Sequence, residues 1–155
     1  MLAAETVTAT VTPQVIAVSV LDGSVDYGIL TVSESNNTID GATGSVQPAA
    51  EQQTITNDSN VSADILLRST DAVGDTVDWD LEATADPDQY IHSYDVNSAA
   101  SWTAFPADNS NSSSVVTLAN KDDTATLDLR IDMPTSIADT SVHNITVTAV
   151  AIETP

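Results

Sequence analysis

The alternation of apolar and polar residues limits most strongly what this chain can fold into. Residues 77–83 read VDWDLEA, and residues 125–133 read ATLDLRIDM. Side chains of a β-strand point to opposite faces with a period of two, so each segment presents one apolar and one polar face. We therefore expect two amphipathic strands here, with their carboxylates, Asp128 included, facing water.

Similar segments recur along the chain, separated by turn signals such as Asp22-Gly23-Ser24. Threonine is abundant, with 21 residues, and branching at Cβ favours strands over helices. The pattern predicts an all-β fold of about 8–10 short strands, a two-sheet β-sandwich of immunoglobulin-like or jelly-roll type. We expect an N-terminal strand segment at 1–13 and a single domain at 14–155. Further strands are predicted at 14–21, 25–32, 53–56, 61–69, 90–96, 114–119 and 144–152, with a loop at 33–53.

The charge balance excludes several classes of partner. The chain has 23 acidic and 3 basic residues, a formal net charge of -20, and no cysteine. So few cations cannot neutralise a phosphate backbone, so we expect no nucleic acid partner. No run of 18 apolar residues occurs, so no membrane insertion is expected. The absence of cysteine excludes disulfides and thiolate nucleophiles. We interpret the acidic residues as a coat that keeps the protein soluble.

Catalytic constellations are lacking in the sequence. His92 and His143 lie in separate segments without a nucleophile motif, and we expect both on the surface or rim. Carboxylates two residues apart, such as Asp78 and Asp80, point together into water, where both stay ionised. We therefore predict that the protein is not an enzyme and has no cofactor. The loops 86–88 and 120–123 offer oxygen ligands and leave bound calcium as a candidate.

Two aromatic residues offer an alternative binding site. Trp102 and Phe105 lie in a stretch rich in Ser, Ala and Pro. Exposed together, they could stack on a sugar ring, which would indicate surface glycans as partners. Buried, they would be core residues or loop anchors.

The N-terminal strand suggests association between copies of the chain. In residues 6–12, TVTATVT, Val7, Ala9 and Val11 share one face and four threonines the other, and Pro13 ends the pattern. This uncharged strand can be the first strand of its own domain. It can equally insert beside the open sheet edge of a neighbouring subunit, with ladder hydrogen bonds and alternate side-chain pockets.

The order of elements resembles that of TasA/camelysin-type extracellular fibre proteins and related secreted surface β-sandwich domains. The resemblance depends on VDYGIL at 25–30, QTITNDSNVSA at 53–63, the strand containing Trp79, and ITVTAVA at 145–151. It implies a non-enzymatic subunit that polymerises by donating its N-terminal strand.

The sequence thus favours a secreted structural subunit of a cell-surface filament, biofilm fibre or surface layer, which self-associates into a homopolymer. The start, MLAAE, is similar to the small-residue tail near a signal-peptide cleavage site with an added initiator Met, so we expect an extracellular or cell-surface location. The alternative function is an adhesive or glycan-binding module on the cell surface, with Trp102 at the contact.

Overall fold

The computed structural model describes residues 10–39, 51–99 and 101–155. In these ranges the protein has ten β-strands and no helix, which confirms the all-β prediction. None of the described residues belongs to a helix that could cross a membrane. Val7 and Ala9 of the predicted N-terminal strand lie outside the described residues.

Seven of the strands form one sheet and three form a second. The larger sheet has the order β1-β3-β9-β6-β5, with β2 also paired to β9 and β7 to β6; the smaller has the order β10-β4-β8. Only the β5–β6 pair is parallel. The strands are β1 (Val18–Leu21), β2 (Ser35–Asn37), β3 (Gln53–Asn57), β4 (Ala63–Ser69), β5 (Asp80–Leu81), β6 (Gln89–Val96), β7 (Thr103–Ala104), β8 (Val116–Leu118), β9 (Thr124–Asp132) and β10 (Val147–Glu153).

The hydrophobic core takes residues from both sheets, as the period-two pattern predicts. The inward residues of β4 are completely buried, and those of β9, continued by Met133, are almost so. Both strands have a neighbour on each side, β10 and β8 for β4, and β3 and β6 for β9. The core residues of these two strands are Ala63, Ile65, Leu67, Ala125, Leu127, Leu129 and Ile131.

The structure differs from the sequence prediction in three segments. Residues 25–32 form no strand, since Gly28 adopts a positive φ of 72° and its N–H is bound by the side chain of Asp26. The predicted loop 33–53 contains β2, whose polar residues carry no alternation signal and pair with β9. The predicted strand 77–83 is reduced to β5. Trp79 and Leu81 are buried as expected, but Ala83 is exposed.

Asp128 also contradicts the expectation of a solvated face, because it is completely buried. Side chains from three distant segments cover it on the outer side of β9. Its carboxylate accepts hydrogen bonds from Thr38 Oγ1 at 3.2 Å, Gln52 Nε2 at 2.9 and 3.0 Å, and Ser98 Oγ at 2.9 Å. These hydrogen bonds replace the hydrogen bonds to water that the carboxylate loses when it is buried.

Candidate functional site

The strands β1 and β10 each form one edge of a sheet, as β5 and β8 do on the opposite sides. Among the described residues, β1 pairs only with β3, and β10 only with β4. Along β10, Val147, Ala149 and Ala151 pack against the core but remain only partly buried. Their register partners on β4 have no exposed surface: Ser69, Leu67 and Ile65. The core is therefore closed over β4 and less covered at β10, whose unpaired edge lies near β1.

Two adjoining cavities, of about 400 and 630 Å³, extend from β10 to the segment that precedes it. Alternate residues of β9 line the first cavity at Leu127 and Leu129, and the second at Ile131. Met133, which follows β9, continues the row in the second cavity. Val147 and Ala149 of β10 border the first. We call the two cavities, with this floor and the free edge of β10, the edge groove.

Five residues line both cavities and therefore stand at their boundary: Val25, Tyr27, His143, Asn144 and Ile145. The Tyr27 hydroxyl is hydrogen bonded to His92 Nε2 at 2.9 Å. The imidazole of His143 stacks on the indole of Trp79, with ring centroids 3.7 Å apart. The boundary thus contains two rings that are held in place by other core side chains.

The segment 22–30 borders the groove opposite β10 and is held by side chains. Gln53 accepts a hydrogen bond from the N–H of Gly23 at 2.6 Å and donates to the carbonyl of Ser24 at 2.8 Å. Asn36 Nδ2 donates to the carbonyl of Tyr27 at 3.0 Å. Within the described ranges, residues 22–30 make no backbone–backbone hydrogen bond. The groove is therefore bordered on this side by irregular chain rather than by a paired strand.

His92 occupies the interior beside the groove, so the prediction of a surface or rim histidine is wrong for this residue. It is 1% exposed, and its Nδ1 lies 2.8 Å from Ser69 Oγ. Burial lowers the pKa of His92 to about 3, so the ring is neutral near pH 7. Ser69 is itself completely buried, so the hydroxyl of this Ser–His pair has no exposed surface. The alternation of Tyr90, His92 and Tyr94 was the signal for the inward position.

Hydrogen bonds to Asp139 fix the loop beside the second cavity. Its carboxylate accepts from the N–H groups of Thr76 at 2.8 Å and Val77 at 3.3 Å, and from Ser141 N and Oγ. These bonds, first among them the one from the backbone of Ser141, hold the pKa of Asp139 far below its usual range. Trp79 is buried here, and its Nε1 has no acceptor among the described residues. The loop is thus a preformed wall of the groove.

Of the three residues predicted for assembly, only Val11 is described, and it is 91% exposed. The chain that follows it is anchored at the turn after β3. Asn60 Nδ2 donates to the carbonyl of Pro13 at 2.8 Å, and Asn60 Oδ1 accepts from the N–H of Val15 at 2.8 Å. Val11 therefore makes no core contact in its own domain. Sequence reasoning missed the groove, because a strand's pattern does not show whether the strand lies at an edge.

The other candidate sites are the pair Trp102 and Phe105 and the loops 86–88 and 120–123. Phe105 is 2% exposed and packs on Tyr94 with ring centroids 4.9 Å apart, so it cannot join Trp102 in stacking on a sugar. In the loops considered for calcium, Asp88 accepts from the N–H of Ala138, and Asp123 from the N–H of Asn120. The described part of the chain contains no group of three or more metal-ligating His, Asp or Glu side chains.

No family model, curated protein or solved structure matches this chain.

Proposed function

We propose that this protein is a structural subunit of a secreted cell-surface filament, biofilm fibre or surface layer. Its two sheets form an immunoglobulin-like or jelly-roll β-sandwich that is incomplete at one edge. The N-terminal strand of one subunit inserts into the edge groove of the next, which produces a homopolymer. The observation that carries this proposal is the apolar groove beside the free edge of β10. The TasA/camelysin-type resemblance implies the same mode of assembly.

The N-terminal strand matches the groove in length and pattern. Residues 6–12 contain seven residues, as does the floor of the groove from Leu127 to Met133. At about 3.3 Å per residue, each spans about 23 Å. An added strand would gain main-chain hydrogen bonds from β10, and its apolar face, Val7, Ala9 and Val11, would cover the half-buried core residues. The pairing would supply hydrogen-bond partners to the edge of β10 and bury the apolar face of the donated segment.

The position of Val11 favours a neighbouring subunit over the same subunit as the acceptor. Val11 is exposed while Pro13 is held at Asn60, so residues 10–12 are not buried against the core of their own subunit. Residues 6–12 also contain no charged side chain, so like-charge repulsion in a chain of net charge -20 opposes their association less than that of the acidic segments. Donation in trans thus accounts for an exposed Val11 and an open groove in one protein.

Removal of residues 1–12 tests the proposal. We expect the truncated protein to stay monomeric, as measured by light scattering and by electron microscopy near neutral pH, under conditions in which the complete chain forms filaments. The circular dichroism spectrum should retain its β character, because the core residues all lie after position 12. As a matched control, Thr8→Ser keeps the alternation and should assemble. Filaments of the truncated protein would contradict strand donation.

A further inference from the structure

We propose that Ala9 sets the register of the donated strand by occupying the boundary between the two cavities, with Val7 and Val11 in the cavities on either side. This inference rests on the proposed function. In addition, it specifies which side chain of the donated strand contacts which part of the edge groove.

The spacing of the cavities agrees with that of the two valines. The first cavity lies over Leu127 and Leu129, and the second over Ile131 and Met133. The midpoints of these two residue pairs are therefore four residues apart along the row, or about 13 Å at the rise of a strand. Val7 and Val11 are also four residues apart, and Ala9 lies midway between them. A donor running along β9 would thus bring a small side chain to the boundary.

The boundary has little freedom to accept a larger side chain. The hydrogen bond to His92 holds the Tyr27 ring, and the stack on Trp79 holds the His143 ring. Displacing close-packed side chains that are fixed in this way requires free energy, typically about 1–3 kcal/mol for an inserted large residue. Alanine avoids that cost, whereas a valine or leucine at this point would not.

Slippage by two residues is disfavoured in both directions. A shift one way would bring Glu5, which shares the face of Val7, into an apolar cavity, where an unpaired carboxylate is strongly destabilising. A shift the other way would bring Pro13 into the ladder, where it has no N–H to donate. Either shift also places a valine at the boundary. The sequence from Glu5 to Pro13 therefore permits one good register.

Three variants of the full chain separate this inference from the proposed function. Ala9→Leu should raise the protein concentration needed for assembly, measured by light scattering, by about tenfold or more, as expected for an overpacking cost of roughly 1.4 kcal/mol. Val11→Ile is the matched control, because it enlarges a residue that lies over a cavity. It should change the protein concentration needed for assembly by less than about threefold. Val7→Asp should abolish assembly. The melting temperature of the monomer should be the same in all three variants.

The outcomes are distinct. If Val7→Asp assembles like the parent chain, strand donation is wrong, and the register with it. If Val7→Asp does not assemble but Ala9→Leu assembles as well as Val11→Ile, strand donation is supported and the proposed register is wrong. Impairment by Ala9→Leu together with tolerance of Val11→Ile supports the register.

Discussion

The core of this protein is closed on one side and open on the other, although one period-two pattern builds both. In the closed core, Ile65, Tyr90 and His92 are essentially without exposed surface. At the edge groove, Val147 and Ala149 have the same inward orientation but are only partly buried. The difference arises from strand order, since β4, β6 and β9 have neighbours on both sides whereas β10 has one. In this protein the burial of an inward side chain thus depends more on the number of neighbouring strands than on the type of residue.

The two regions also differ in how their chain is held. Ladder hydrogen bonds hold the strands of the closed core, whereas side chains such as Gln53 and Asn36 hold the segment 22–30. Ile29 in that segment is 98% exposed, and Val142 across the second cavity is 80% exposed. Segments with few ladder bonds and exposed apolar groups lie at the low-stability end of a protein. The groove is thus the region where association can add most.

The largest effect is expected in the closed core. Ile65→Ala removes a completely buried side chain and leaves a cavity, so we expect the free energy of unfolding to fall by about 2–5 kcal/mol. Urea unfolding followed by circular dichroism measures this loss. A loss below about 1 kcal/mol would mean that the centre of β4 can collapse or hydrate, and that it is not more closed than the groove.

The next effect depends on pH and on His92. The unfolded imidazole has a pKa near 6.5, whereas burial lowers the folded value to about 3. The unfolded chain therefore binds the proton first. Stability is complete above about pH 6.5 and falls as the pH drops toward 3, by about 1.4 kcal/mol per pH unit. Between pH 7 and pH 5, above the ordinary pKa range of carboxylates, we expect a loss of about 2 kcal/mol in urea unfolding.

Two substitutions serve as controls for this pH effect. Gln at position 92 can still hydrogen bond to Ser69 and Tyr27 but does not titrate, so His92→Gln should be less pH-dependent over the same interval. His143→Gln removes the imidazole at the groove and should leave the His92 contribution in place. A slope that persists in His92→Gln would show that the closed core is not its source.

The same contrast separates what the sequence could predict from what it could not. The inward faces of β4, β6 and β9 follow from alternation alone, which is a local property. The groove does not follow, because ITVTAVA at 145–151 alternates as regularly as a central strand, and only the order of strands makes it an edge. The burial of Asp128 was unpredictable for a related reason, since its covering groups come from three distant segments.

The smallest effect on the free subunit is expected at the groove. Val147→Ala removes two methyl groups from a half-buried residue, so we expect a loss of about 1 kcal/mol or less in urea unfolding. If the donated strand completes the burial of Val147, the same substitution should weaken assembly more than it weakens the fold. A stability loss as large as that of Ile65→Ala would instead mean that the core is already complete at this edge. The groove would then offer a donated strand nothing to cover.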